Sequence, residues 1–409
     1  MKLFKAVTGH SVYWDSIRGL SMITMALIHT ALIVGWNPFR VELDEILFPL
    51  MEPIFFLSGF LIAKNMSRHL ASRPLGQTMW SYAGRRILRT WPLYYVVVVV
   101  SFLCPWLVDL PIHKSLLSFL TFTMNINLPR GGLAQMWSLC VEESCYFAFL
   151  LVLPFMRSRR ASLIFFGLAF AALVGRIVVF VNAGPFDTLN YFVRLWYPTL
   201  YHWDSFWYGC ILGITWHRLP QFGRPARLAL LALSGLILGA YVILAMDPDL
   251  KAAGFGQIAN PLWGAAISLG IILGIEGLPK GILVWSGLPW VGRMSYSLYL
   301  IHRSSLYVAV VLNRRWDLFA AYSWRELVFC YAFLLVTGYV MYRILEVPIL
   351  NLQQRWFGYD QTNRFSDLEV RFSNFASLLL AGAARAAGQS IMENRRNFAN
   401  AKFGDHGLD

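Results

Sequence analysis

The chain has 409 residues, of which 57% are apolar, 16% aromatic and only 14% charged. Soluble proteins spend about 25% of their residues on charge, so this deficit, combined with long apolar runs, excludes an ordinary soluble domain and indicates a bilayer protein. The formal charge of +13 does not indicate a nucleic-acid partner, because the basic residues fall in alternate loops, as positive-inside bias requires.

Ten apolar segments of roughly the length of a helical crossing follow one another, at about 17–35, 46–63, 91–110, 136–155, 161–183, 200–216, 228–246, 260–276, 292–312 and 326–346. The expected fold is therefore all-α and polytopic. The first run carries Arg18 and His29 and lacks a small-residue cleavage pattern after it, so it reads as a retained helix. Lys2 and Lys5 precede it, and Lys64, Arg68, Arg73, Arg85, Arg86 and Arg89 follow the second segment. Arg157, Arg159 and Arg160, then Arg218, Arg224 and Arg227, continue the alternation. The intervening loops are acidic or poor in basic residues, as at Glu42, Asp44 and Glu45, or Asp247 and Asp249. Both termini are thus expected in the cytoplasm, although Arg314, Arg315 and Arg325 make one expected external loop basic. The apolar stretch from Pro111 to Leu128 would invert Arg157, Arg159 and Arg160 if it crossed, so it reads as a half-helix or surface helix covered by protein or a watery cavity. Residues 1–350 form the membrane domain, and 351–409 form a mixed-charge tail. Within that tail, Leu368 to Ala387 could make an amphipathic surface helix or remain disordered. All five cysteines lie inside apolar segments, which excludes a disulfide framework and gives no metal-ligand spacing.

Ionisable side chains at membrane depth cost about 2.5–3.5 kcal/mol each on insertion scales, so each needs a reason. Arg18 and His29 share the first segment, and eleven helical residues return the chain to within about 20° of the same face, about 16 Å along the axis. An imidazole there suits general-base work on an alcohol, or else hydrogen-bonded packing between helices. Glu142 and Glu143 open the fourth segment at a depth comparable to His29, where either could orient an imidazole or pair with an arginine such as Arg176. His302, in the ninth segment, reaches nearly the same level, which makes a shared polar chamber plausible. Arg85, Arg86 and Arg89 precede the third segment, with Arg85 and Arg89 expected on one face. Their guanidinium forks match phosphate oxygens, or they anchor the helix at lipid headgroups. His202 and Asp204, interleaved with Trp203, Phe206 and Trp207, resemble a sugar-stacking, hydroxyl-binding surface, or an interfacial aromatic belt.

These blocks together resemble the acyltransferase 3 family of membrane-bound O-acyltransferases. "DSIRGLSMITMALIHT" matches its Arg-x10-His pattern at Arg18 and His29, and "FFLSGFLI" its Phe-Phe-x-x-Ser-Gly run at Ser58 and Gly59. "RRILRTWPLYY", "WSLCVEESCY", "MSYSLYLIH" and "YRILEVP" resemble four further blocks in the family's order, across about residues 10–350. Arg303 stands where the family usually has proline, and Trp203 where arginine is common. The resemblance implies an inner-membrane, multi-pass enzyme taking an acyl group, usually acetyl, from acyl-coenzyme A to a hydroxyl of an extracytoplasmic carbohydrate or related alcohol. It raises Arg85, Arg86 and Arg89 to candidates for the donor phosphates. It leaves His29, with Glu142 or Glu143 and Arg18 in support, as the expected catalytic group. Ser138 or Tyr299 is the candidate oxyanion donor, and His202, Asp204 and His302 are candidates on the acceptor side. The competing reading is a transporter of a lipid-linked or small anionic solute; the sequence has no internal repeat of the kind many transporters show.

Overall fold

The computed structural model describes residues 11–35, 48–126, 131–158, 160–184, 186, 188–247, 249–250 and 255–357. Lys2, Lys5, Glu42, Asp44, Glu45, Arg159 and the candidate tail helix Leu368–Ala387 lie outside these residues. The chain divides into two compact units, Met1–Asn351 and Leu352–Asp409. Of the second unit, residues 352–357 are described and are helical.

The described residues are helical, with no strand among them. We label the longer helices α1 (Val12–Ile33), α2 (Glu52–Ser72), α3 (Leu75–Leu103), α4 (Trp137–Val152), α5 (Ala161–Ala183), α6 (Asp204–Thr215), α7 (Arg224–Met246), α8 (Phe255–Gly274), α9 (Ser295–Trp316) and α10 (Trp324–Met341). Six helical stretches are long and apolar enough to cross a membrane: Leu75–Leu103, Ala134–Arg157, Ala161–Ala183, Arg224–Met246, Ile258–Gly277 and Trp324–Phe357. They contain α3, α4, α5, α7, most of α8, and α10. Leu163, Phe166, Phe170 and Val181 on α5, and Leu236 and Ile243 on α7, stand exposed, which makes apolar outer faces suited to lipid. The chain is a helical membrane protein.

Of the other four longer helices, α1, α2 and α9 carry buried ionisable residues such as Asp15, Glu52, His302 and Arg303, and α6 is short. Two departures from the sequence expectations have clear causes. Helix α3 starts at Leu75 and ends at Leu103, well before the expected end at 110, because Pro105 cannot continue it and disfavours helical geometry in Cys104. As a result Arg85, Arg86 and Arg89 lie within this helix, not ahead of it. Helix α6 has 12 residues, about 18 Å, too short to cross a hydrocarbon core of about 30 Å alone. It is packed inside the bundle, with Phe206, Trp207 and Cys210 fully buried. The stretch after Pro111 carries only the five-residue helix Leu116–Leu120 and otherwise irregular backbone in its described part.

Helices α2 and α6 cross at backbone contact. A Cβ on Gly59 would stand 2.0 Å from the Phe206 carbonyl oxygen, and one on Gly209 would stand 2.1 Å from that of Phe56. Small residues permit this approach where apolar burial alone cannot drive helices together. Gly59→Ala is expected to force the pair apart and cost at least the 1–3 kcal/mol or so typical of overpacking. The check is the melting temperature and gel-filtration profile of the variant in detergent; an unchanged melt would contradict the crossing.

Candidate active site

Helix α1 has two opposed faces. Leu20, Ile23 and Leu27 are exposed along one. Arg18, Met22, Met25 and His29, at steps of four, three and four residues, run down the other. Leu20 and His29 are nine residues apart, about 180° around the helix, so His29 faces away from the exposed stripe. It is half-buried.

A chamber of about 130 Å³ opens beside this inner face. Arg18, Met22 and Met25 line it from α1, and Ile54, Phe55 and Ser58 from α2. Arg86, Arg89 and Thr90 contribute from α3, Ser138, Glu142 and Tyr146 from α4, and Ser295, Tyr296 and Tyr299 from α9. His29 follows Met25 by one turn of α1, just beyond this lining.

Three arginines therefore line the chamber. Positions 86, 89 and 90 are spaced i, i+3, i+4, so the inward pair is Arg86 and Arg89. This corrects the expectation that Arg85 and Arg89 share the functional face. Arg85 is buried and does not line the chamber. It lies beside His69, past the segment expected to cross, where burial and then Arg85, Arg73 and Arg68 hold the imidazole down to about 4. Arg89 is 3.2 Å from Glu346 Oε1, while Glu346 Oε2 accepts from the Ser297 hydroxyl at 2.5 Å and its amide at 3.2 Å. Glu346 closes the widened π-helical turn Tyr342–Glu346, a local distortion often found at functional sites. Arg18 pairs with Asp15 at 3.3 Å, and Arg86 lies over the Tyr146 ring at 5.0 Å.

The two adjacent acids separate. Glu143 accepts from Thr90 Oγ1 at 2.6 Å and Trp91 Nε1 at 2.9 Å, which ties α4 to α3. Glu142 lines the chamber and accepts from Tyr146 at 3.4 Å. Neither contacts His29, so the expected carboxylate–imidazole pair does not form. His29 Nδ1 instead lies 3.1 Å from the Met25 carbonyl and 3.1 Å from His302 Nε2. His302 is fully buried, with Nδ1 2.7 Å from the Tyr299 carbonyl. The two histidines do meet, but neither lines the chamber. Ser138 Oγ is 2.9 Å from the Tyr299 hydroxyl, which donates to the Gln135 carbonyl at 2.5 Å.

Residues 11–358 match the family model of an acyltransferase domain, Acyl_transf_3, nearly the whole of the chain. The chain belongs to the acyltransferase 3 family. Neither among curated proteins nor among solved structures is there a match. This membrane acyltransferase thus has its chamber inside the matched region, built by helices that carry the Arg-x10-His, Ser-Gly, Arg-Arg-x-x-Arg and Glu-Glu blocks. The match gives no support to a transporter.

In this acyltransferase His202 and Asp204 are not an open stacking surface. His202 Nε2 is 3.0 Å from Glu52 Oε1, both residues are fully buried, and Trp196 packs edge-on against the imidazole at 4.2 Å between centroids. Asp204 accepts from Arg176 at 2.7 Å, also fully buried, while Arg176 donates to the carbonyls of Tyr201 at 2.6 Å and Ile258 at 3.2 Å. These pairs knit α2, α5, α6 and α8. The sequence reading failed here because a His–Trp–Asp run looks alike whether it faces a ligand or a partner helix. Met22 and Met25 escaped notice as chamber residues although the Arg18–His29 stripe passes through both. Glu52 carried no signal, since its partner is 150 residues away.

Proposed function

We propose that this acyltransferase moves an acyl group, in the first instance acetyl, from acyl-coenzyme A on the cytoplasmic side to a hydroxyl of an extracytoplasmic glycan or related alcohol. It does so from the inner membrane, with both termini cytoplasmic and about ten crossings. The carrying observation is one chamber lined by three guanidiniums that ends within a helical turn of a half-buried histidine on the same face of α1.

Arg86 and Arg89, with Arg18, offer the donor's phosphates charge-assisted, bidentate hydrogen bonds. The pantetheine arm follows the methionine-lined face of α1 toward His29, and soft thioether side chains suit a flexible apolar arm. His29 Nε2 accepts the proton of the acceptor hydroxyl as its oxygen attacks the thioester carbon. The C–O bond forms, the C–S bond breaks, and the same proton passes from His29 to the departing sulfur, leaving an ester and free thiol. Ser138 stabilises the developing oxyanion, since the Gln135 carbonyl already takes the Tyr299 hydroxyl proton. No acyl-enzyme is required.

Arg86→Gln is expected to raise KM for acetyl-coenzyme A about tenfold or more, the effect of losing one charge-assisted hydrogen bond, with a smaller effect on kcat. Initial rates of radiolabelled acetyl transfer in membrane vesicles provide the check. An unchanged KM in both Arg86→Gln and Arg89→Gln would remove the donor phosphates from this site.

A further inference from the structure

We infer that His302 is a positioning residue that fixes the tautomer of His29, so that Nε2 of His29 is the proton-accepting atom. The inference rests on the acyl-transfer reading above and concerns how its base is prepared.

The assignment follows from what each partner can do. A carbonyl oxygen only accepts, so the Tyr299 carbonyl, 2.7 Å from His302 Nδ1, requires a proton on that nitrogen. A neutral His302 protonated at Nδ1 then has a bare Nε2, which can only accept. The two imidazoles meet at 3.1 Å through His29 Nδ1 and His302 Nε2. His29 Nδ1 must therefore carry the proton between them, and the Met25 carbonyl, also 3.1 Å away, shares it as a second acceptor. Both rings are then neutral, and the chain of donors runs from His29 Nδ1 to His302 Nε2 and from His302 Nδ1 to the Tyr299 carbonyl. One lone pair is left over, on His29 Nε2, because both hydrogen-bond contacts of His29 among the described residues run through Nδ1.

The burial pattern agrees. His302, the inner ring, is fully enclosed, whereas His29 keeps part of its surface open. Tyr299 links the pair to the chamber: its carbonyl holds His302, and its hydroxyl lies on the chamber wall beside Ser138. A carboxylate behind a catalytic histidine both selects the tautomer and balances the imidazolium charge. Here a neutral imidazole selects the tautomer without a fixed negative charge. That suits a base that must give its proton promptly to the leaving thiolate.

His302→Gln keeps a carbonyl oxygen able to accept from His29 Nδ1, while His302→Leu has no acceptor. His302→Leu is expected to lower kcat between about tenfold and a hundredfold, the usual range for losing an orienting group behind a functional imidazole, with KM for acetyl-coenzyme A unchanged. His302→Gln should remain within about fivefold of the wild type. Independently of activity, solid-state nitrogen-15 NMR of histidine-labelled protein in bilayers should show His29 protonated at Nδ1 and bare at Nε2. His302→Leu should broaden or shift those resonances, and His302→Gln should restore them. A wild-type His29 protonated at Nε2 would overturn the inference. So would a His302→Leu variant with unchanged kcat and unchanged His29 resonances. Loss of the acyl-transfer reading itself would appear differently, as intact thioester in every variant with the tautomer pattern preserved.

Discussion

Replacing His29 by alanine is expected to reduce acyl transfer by about two to four orders of magnitude, the usual contribution of a positioned general base, while the protein stays folded. The size of the effect follows from how completely the fold commits this side chain. His29 sits on the face of α1 opposite Leu20, one turn past Met25, and is held through Nδ1 by a backbone carbonyl and a buried imidazole. Among the described residues no other histidine reaches the same position: His302, the nearest, has Nδ1 tied to Tyr299 and its ring enclosed. Stability should change little, since His29 makes no ion pair with a carboxylate whose charge its removal would strand. Turnover of radiolabelled acetyl-coenzyme A, measured beside the melting temperature, separates the two effects. Wild-type turnover in a correctly folded His29→Ala would exclude His29 as the base.

Asp204→Ala is expected to destabilise the protein by about 3–5 kcal/mol, because it strands the Arg176 guanidinium in the interior. Arg176 and Asp204 are both fully buried, and their 2.7 Å contact joins α5 to α6 at the point where Arg176 also holds the Tyr201 and Ile258 carbonyls. A charge pair of this kind matters most when half of it is removed; replacing both partners by apolar residues is often nearly neutral. The double variant Arg176→Met with Asp204→Leu should therefore recover most of the stability lost in Asp204→Ala. Thermal unfolding in one detergent compares the three. If Asp204→Ala melted like the wild type but lost acceptor-dependent activity, Asp204 would be a ligand contact after all.

Much of the fold was legible because helix length and apolar character are local properties. A helix occupies each of the ten apolar segments, and α5 coincides with its expected range at Ala161–Ala183. The ends were less legible where a distant constraint decides them, as at α3, whose basic residues continue the helix inward from Leu75, and at α6, which the bundle shortens and encloses. At the site, periodicity alone joined Arg18 to His29, and depth alone suggested that His302 and His29 meet. The pairing of Glu142 or Glu143 with His29 could not be read from one chain, because depth fixes the level of a side chain and not its rotation about the helix axis. Rotation sends Glu143 toward Thr90 and Trp91 and leaves Glu142 on the chamber. The same ambiguity placed Arg85 on the wrong face of α3 and made the buried pairs of His202 and Asp204 look like a binding surface.

The most direct test is an electron cryo-microscopy structure of the purified acyltransferase with a non-hydrolysable thioether analogue of acetyl-coenzyme A. The expected density has the phosphates against Arg86 and Arg89, the arm along Met22 and Met25, and the acetyl end beside His29 with room for one hydroxyl oxygen between them. An analogue seated away from the arginines, or one whose acetyl end is separated from His29 by packed side chains, would contradict the proposal that this chamber performs the transfer.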